Sequence, residues 1–216
     1  MYFPATEKTL PAFKHALLAV ALLGAPFAVQ ADAAADYNEG LAAYRKGDVT
    51  GAMSPLKRAA DGGIAEAQAL YGTLLDSAEL DDEAQGYLLK AAGQGNADGQ
   101  YGLAKMYLTG EAKAPDEREV ARLIRAAVAQ EHPAATISLA LAYTRKDARF
   151  GADALTPETG PLLLKAAELG DVNAIESVST AYRIGDYGLP VDAAKADQWS
   201  TRLAEIRGVK PGARKK

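Results

Sequence analysis

The sequence has no cysteine and only two histidines, His15 and His132. The absence of thiols excludes a disulfide framework, a Cys-His nucleophile pair and a zinc ribbon. The shortage of histidine excludes a multi-histidine metal site, and no G-x-S-x-G segment is present to form the nucleophile elbow of a hydrolase. We therefore predict no catalytic residue, no cofactor and no metal site.

An acidic cluster at Glu79, Asp81, Asp82 and Glu83 is the nearest approach to a calcium site. Its spacing is not that of an EF-hand, and it lacks the glycine that makes the sharp turn of the EF-hand loop. Carboxylates at the start of a helix are stabilised by the helix dipole. We predict a solvated loop that leads into a helix.

Aromatic residues are also scarce, at 7% of the chain, although 49% of the residues are hydrophobic. Much of the hydrophobic fraction is alanine, which is the best helix former and packs closely because its side chain is small. A chain of 216 residues is long enough for one domain of ordinary size. The composition therefore predicts one domain of closely packed helices.

The N-terminus has the pattern of a secretory signal peptide. Lys8 and Lys14 precede an apolar run at 16–29, which Val29-Gln30-Ala31 follows. A basic segment, a short apolar run and a small-x-small site are typical of a cleaved signal. We predict cleavage after Ala31, with cleavage after Ala33 and retention as an anchor as the alternatives. Residues 1–31 would then be a signal peptide, and the mature protein would lie in the periplasm of a Gram-negative bacterium, without an integral membrane span.

Neither the charge nor the C-terminus favours nucleic-acid binding. The full chain has a net charge of −4, and loss of residues 1–31 removes two lysines and one glutamate, which gives −5. An acidic chain is a poor candidate for binding to a phosphate backbone. The basic residues at 209–216 lie on both sides of Pro211-Gly212, and we predict that this tail is disordered.

Two motifs repeat along the chain with one shared, variable period. The first is a pair of small residues followed by a turn, as in LKAAGQG at 89–95, and its turn residues are spaced by 32, 36 and 39 positions. The second is a small residue nine positions after each turn residue, with a larger residue three positions further on. A period of this size predicts a solenoid of helix–turn–helix units. The repeat framework comprises Tyr44, Ala59, Ala60, Gly63, Gly72, Ala91, Ala92, Gly95, Ala104, Tyr107, Ala127, Ala140, Tyr143, Ala166, Ala167, Gly170, Tyr182, Gly185 and Trp199.

Each residue type in these motifs has a physical reason. Glycine after the small pair suits a left-handed position at the end of a helix. A small residue in the first helix of a pair lets the second helix approach closely, and the tyrosine one turn later fills the remaining space. Departures from the pattern are Leu75 for tyrosine, Val128 for alanine and Glu131 for glycine, and we predict that His132 is a surface residue at that repeat boundary. Ten helices are predicted at 35–46, 49–61, 64–76, 81–93, 97–109, 116–129, 133–145, 158–168, 172–184 and 191–207.

Two segments carry a resemblance to a known family. Ala65-Glu66-Ala67-Gln68 through Gly72 resembles the first helix of the Sel1-like repeat, and the segment 185–192 followed by Lys195-Ala196 and Trp199 resembles its loop and second helix. This family belongs to the tetratricopeptide-repeat superfamily, and the resemblance covers about 36–207. It implies an all-α, right-handed α-α superhelix of about five helix pairs, over 32–208.

The resemblance also implies a function in binding other proteins. The first helices of such solenoids line a concave groove, which would here include Gln68, Gln100, Lys105, Ser138 and Glu176. We predict a non-enzymatic adaptor, scaffold or regulator of an envelope complex with an unidentified protein partner. A scaffold for polysaccharide assembly and a cell-wall hydrolase are the alternatives. The longest irregular stretch, 145–160, is an insert of the kind that projects from one face of a solenoid.

Overall fold

A computed structural model describes residues 24–112, 114, 117–150 and 156–208, with side chains from Asp32 onward except that of Glu117. These residues form ten α-helices and one 3-10 turn at Ala148–Phe150, and they contain no strand. The all-α solenoid prediction is confirmed. The helices are α1 Gly24–Arg45, α2 Val49–Asp61, α3 Ala65–Ser77, α4 Asp81–Gly93, α5 Ala97–Thr109, α6 Glu117–Ala129, α7 Pro133–Thr144, α8 Thr159–Glu168, α9 Val172–Ile184 and α10 Ala193–Ile206.

Nine of the ten helices begin and end within two residues of the predicted bounds, and α1 is the exception. It begins at Gly24, eleven residues before the predicted start at 35, so the predicted cleavage site after Ala31 lies inside this helix. Residues 1–23 and the predicted tail at 209–216 lie outside the described residues. The signal peptide and the disordered tail therefore stay predictions. None of the helices in the described ranges has both the length and the apolar character needed to cross a membrane.

The pair of small residues at the end of each second helix supplies the carbonyl groups of the following turn. The N–H of Gly63 donates to the carbonyl of Ala60, and the N–H of Ile64 donates to that of Ala59, each at 3.1 Å. This is the Schellman pattern, in which the turn residue has a positive φ. The φ angle is +91° at Gly63, and positive φ recurs at the three equivalent positions Gly95, Glu131 and Gly170.

Glycines in the first helices let the second helices approach closely. A Cβ atom on Gly72 would lie 2.9 Å from Cγ of Leu88 in α4, and one on Gly99 would lie 2.4 Å from Cβ of Ala91. Gly40 has the same role in the first pair, because its Cβ would lie 2.6 Å from Cγ of Leu56. Gly40 lies 32 residues before Gly72, so the repeat period alone would have identified it.

Tyr44 is the framework residue whose predicted packing is wrong. Its side chain is 40% exposed, whereas Tyr143 and Tyr182 are buried. Gly47 and Glu79 are the residues with positive φ that follow α1 and α3. Leu75 lies four residues before Glu79, and the residue four positions before Gly47 is Ala43. Tyr44 is therefore rotated by about 100° from the core-facing position.

The other framework residues lie mainly in two apolar cores that meet at α7. One core extends from α2 to α7, and the second extends from α7 to α10. Fully buried or nearly so are Ala59, Ala60, Gly72, Ala91, Ala104, Ala127, Ala140, Ala166 and Ala167, whereas Ala92, Tyr107 and Trp199 are partly buried against the cores.

The start of the 145–160 insert is anchored to the core. Phe150 is 3% exposed, and its carbonyl accepts a hydrogen bond from Arg125 Nη2 at 2.8 Å. Residues 151–155 lie outside the described residues. The described part of the insert thus packs on α6 and α7.

Candidate functional site

Some first helices of neighbouring pairs pack directly against each other. Among the described residues, α3 packs against α5 and α7 packs against α9, whereas the second helices of neighbouring pairs contact each other much less. A stack of pairs that is tighter on one side curves towards that side. The surface formed by α1, α3, α5, α7 and α9 is called the first-helix face below.

A pocket of about 280 Å³ lies on this face between α1, α3 and α5. Tyr37, Leu41 and Tyr44 line it from α1, where spacings of four and three residues place them on one side of the helix. Glu66 and Asp98 line it from α3 and α5. We call it the N-terminal pocket, and it combines aromatic surface with two carboxylates.

Negative charge dominates the N-terminal pocket. The pKa of the Tyr37 hydroxyl is raised, mainly by burial and then by Glu66, while Arg45 opposes the shift and Asp98 adds to it. Glu66 makes no ion pair within the part of the chain that the structure describes. The carboxylate of Glu66 is therefore available to a ligand.

A second depression of about 260 Å³ lies further along the first-helix face, between α5, α7 and the start of the insert. Leu108, Leu141 and Phe150 supply its apolar lining, and Arg145 lies at its edge. Asp147 and Arg149 also line it, and the pKa of Asp147 is lowered mainly by its hydrogen bond from Arg149 and further by Arg145. The first-helix face thus has an acidic depression near its N-terminal end and a basic one towards its middle.

Gln68 and Gln100 are not exposed groove residues, so this part of the prediction is wrong. Their exposed fractions are 4% and 7%. Gln68 Nε2 donates to the carbonyl of Ala60 at 2.9 Å, and its Oε1 accepts from Gln94 Nε2 at 2.7 Å. Gln100 Oε1 accepts from Gln130 Nε2 at 3.0 Å. Both side chains are held inside the stack, where a buried amide needs its hydrogen bonds.

The other three predicted groove residues lie at the surface or partly so, and each has a partner. Lys105 Nζ lies 2.7 Å from Oδ2 of Asp76, whose side chain is 7% exposed, and this hydrogen bond raises the pKa of Lys105. Ser138 Oγ lies 3.2 Å from the hydroxyl of Tyr101. Glu176 accepts from Arg207 Nη2 at 2.9 Å. Their role in binding a partner stays a prediction.

His132 has a structural role at the start of α7. Its Nδ1 accepts from the N–H of Ala135 at 3.1 Å, which is the bond of a helix N-cap. Its Nε2 lies 3.0 Å from Oδ1 of Asp98, and its ring packs against Tyr101 with centroids 4.8 Å apart. The side chain is 12% exposed, so the prediction of a surface residue is wrong.

A groove of about 600 Å³ lies between the second helices α6 and α8. Val128, Leu139, Pro161 and Leu162 form its apolar lining. Two cations at its rim are already engaged: Lys165 lies 2.8 Å from Glu131, and Arg125 bonds the insert. The prediction from sequence did not include this groove, because it depends on the angle between two helix pairs.

A buried large residue seven positions before each turn was also missed. These residues are at most 1% exposed and fill the space between the two helices of a pair. The same counting that located the small pairs would have found them. They are Leu56, Leu88, Ile124 and Leu163.

Comparisons with known proteins were made by sequence and by structure. No model of a known protein family matches the sequence, and a search of curated proteins gives no match. Several solved structures are similar, and three of them are Sel1 repeat or SLR-fold proteins. A Sel1 repeat protein from Oxalobacter formigenes has a TM-score of 0.62 at 24% identity over 72% of this chain and 45% of its own.

The second structure, c5321, a protective antigen of uropathogenic Escherichia coli with an SLR fold, has a TM-score of 0.64 at 24% identity over 82% of this chain and 39% of its own. The third, a putative Sel1 repeat protein from Klebsiella pneumoniae, has a TM-score of 0.54 at 20% identity and covers 82% of this chain and 88% of its own. The chain spans less than half the length of the first two. The described residues therefore have the Sel1-like repeat fold.

Proposed function

We propose that this protein binds a protein partner through its first-helix face and serves as an adaptor, scaffold or regulator of an envelope complex in the periplasm. The observation that carries the proposal is the N-terminal pocket, which presents Tyr44 at 40% exposure beside Leu41. Exposed aromatic side chains at the mouth of a pocket are typical anchors of protein interfaces. Solenoids supply extended surfaces of this kind.

Site-specific photocrosslinking in cells tests the surface. A photoreactive amino acid at Leu41 samples the N-terminal pocket, and one at Leu89, 47% exposed on the second helix α4, is the matched control. We expect one dominant protein adduct from position 41 and none of that mass from position 89. The same adduct from both positions, or from position 89 alone, would contradict binding through the first-helix face.

The periplasmic location is supported by the sequence pattern of residues 1–31. Cell fractionation with mass measurement of the purified protein tests it. We expect a periplasmic chain that begins at Asp32, or at Ala34 if cleavage follows Ala33. A chain of full length in the cytoplasmic fraction would show that this part of the proposal is wrong.

A further inference from the structure

The N-terminal pocket has the size of a site for one side chain. Its volume of about 280 Å³ is below the roughly 300–1,000 Å³ that is usual for cofactors and drug-sized ligands. Three helices from three successive pairs form its walls, so its shape is fixed by the stacking of the solenoid and not by a loop.

The lining of this pocket is complementary to a cation. Tyr37 and Tyr44 provide aromatic faces, which attract ammonium and guanidinium groups, and Glu66 and Asp98 provide two carboxylates. No lysine, arginine or histidine is among the residues that line it. Among the described residues, Arg45 lowers the pKa of Tyr37, whereas Glu66 and Asp98 both raise it.

The hydrogen bond from His132 occupies only one oxygen of the Asp98 carboxylate. Because Nδ1 of His132 accepts from the N–H of Ala135, the neutral ring has its proton on Nε2. That N–H then donates to Oδ1 of Asp98 at 3.0 Å. The carboxylate keeps a second oxygen, and its side chain is 72% exposed. Asp98 therefore still has a carboxylate oxygen for a ligand, beside Glu66 in the lining of the pocket.

We infer that the N-terminal pocket binds a lysine or arginine side chain of the protein partner, between the two tyrosines and the carboxylates of Glu66 and Asp98. The inference rests on the proposed function, since it names the chemistry by which the partner is recognised at the same face. An acidic side chain is excluded as the occupant, because it would meet two carboxylates without a compensating cation in the lining.

Nuclear magnetic resonance of the mature chain, titrated with defined probes, tests whether the N-terminal pocket binds a lysine or arginine side chain. The probes are capped Gly-Ser-X-Ser-Gly peptides in which X is arginine, lysine, citrulline or norleucine, together with tetramethylammonium chloride. We expect the ring signals of Tyr37 and Tyr44 to shift on titration with the arginine and lysine peptides, with responses about fivefold weaker for the uncharged analogues. Glu66→Gln should weaken the response several-fold, while Glu83→Gln, an exposed carboxylate on α4, should leave it unchanged.

Three results would overturn the inference. Equal shifts with citrulline or norleucine would make the pocket an apolar or hydrogen-bonding site. Shifts with tetramethylammonium alone would make it a site for a small cation and not for a protein side chain. No shift of either tyrosine ring with any of these probes would exclude cation binding.

Thr73 is an exposed residue of the same pocket. Crosslinking from Thr73 distinguishes failure of the cation inference from failure of the proposed function. The Glu66→Gln variant should lose most of the Thr73 adduct, and the Glu83→Gln variant should keep it. An adduct that persists in Glu66→Gln would overturn the cation inference and leave the first-helix face as the binding surface. An adduct from Leu89 but not from Thr73 would contradict the proposed function itself.

Discussion

At the scale of single residues, paired glutamines connect the turns after α4 and α6 to the first helices α3 and α5. Gln94 Nε2 contacts both Gln68 Oε1 and the carbonyl of Gly63, and Gln130 Nε2 contacts Gln100 Oε1 and the carbonyl of Gly95. The α7–α8 pair lacks this bond and has instead the ion pair of Lys165 with Glu131. The glutamine pairs therefore strengthen the middle of the stack.

Loss of Gln68 should destabilise the fold more than loss of its partner. Gln68→Ala removes both hydrogen bonds of a buried side chain, the one to the carbonyl of Ala60 and the one from Gln94, so we expect the free energy of unfolding to fall by about 1–3 kcal/mol. Gln94 lies at the surface, so Gln94→Ala should cost less than about 1 kcal/mol. Urea unfolding of both single variants and the double variant measures the difference. Equal losses for the two single variants would contradict the buried role of Gln68.

Because His132 is the N-cap of α7, the effect of a substitution on stability should depend on whether the new side chain can accept a hydrogen bond. His132→Ala removes the acceptor of the Ala135 N–H and should cost about 1 kcal/mol of unfolding free energy. His132→Asn keeps an acceptor at this position and should recover most of that loss. Thermal unfolding of the two variants makes the comparison. A loss as large for asparagine as for alanine would show that the contacts of the ring with Tyr101 and Asp98 matter more than the cap.

At the scale of helices, glycine at a contact allows two neighbouring helices to pack closely. Gly99 in α5 faces the backbone of α4, because its Cβ would lie 2.9 Å from the nitrogen of Ala92 and 2.4 Å from the Cβ of Ala91. A Cβ atom on Gly86 in α4 would instead have no neighbouring atom within 4 Å. The two glycines therefore form a matched pair for substitution by alanine.

Gly99→Ala and Gly86→Ala should change stability in opposite directions. At Gly99 the new methyl group forces α4 and α5 apart, at a cost of about 1–3 kcal/mol. At Gly86 the methyl group meets no neighbour, and the higher helix propensity of alanine should stabilise by about 0.5–1 kcal/mol. Chemical unfolding of both variants tests the pair. Stabilisation by Gly99→Ala would contradict the close packing of α4 on α5.

The contact of α2 with α4 should weaken in acid. Lys57 and then the Tyr87 hydroxyl donate to Asp61, at 2.7 and 2.6 Å, and hold the pKa of this carboxyl below its usual value of 3.8. A depressed pKa means that the stabilisation is present above the unfolded-state pKa and is lost as the pH falls through the folded-state pKa.

The difference in unfolding free energy between the wild type and Asp61→Asn measures this contribution. It should be largest near neutral pH and should shrink as the pH falls below about 4. The same comparison for Asp82→Asn, at the start of α4, is the control for an acidic residue outside this contact. A difference for Asp61 that does not vary with pH would contradict the bond to Lys57 and Tyr87.

The helices were predictable from the sequence because their ends have local signals. Glycines with positive φ follow several of them, and Asp48, Asn96, Asp171 and Asp192 accept the first backbone N–H groups. The start of α1 was not predictable in this way, since alanine-rich residues continue the helix back to Gly24. The prediction for Tyr44 failed because a shift of one residue in register turns a side chain from the core to the surface.

At the scale of the whole molecule, the depressions of the surface differ in their chemistry. The first-helix face has an acidic depression lined by tyrosine and a basic depression at Arg145, whereas the groove between the second helices α6 and α8 is apolar. The resemblance to the Sel1-like repeat implied which helices form the inner face. It could not predict which side chains remain exposed there, because that depends on the rotation of each helix against its neighbours.

The central claim is that the first-helix face binds the partner, and replacement of Leu41 and Tyr44 in the N-terminal pocket tests this claim most directly. The measurement is capture of the protein that crosslinks at position 41, by the tagged wild type, by Leu41→Ser/Tyr44→Ser and by the control Leu80→Ser/Leu89→Ser. We predict that the first double variant loses about tenfold in capture with unchanged helicity by circular dichroism, and that the control keeps it. Full capture by Leu41→Ser/Tyr44→Ser, with loss in the control, would contradict the claim.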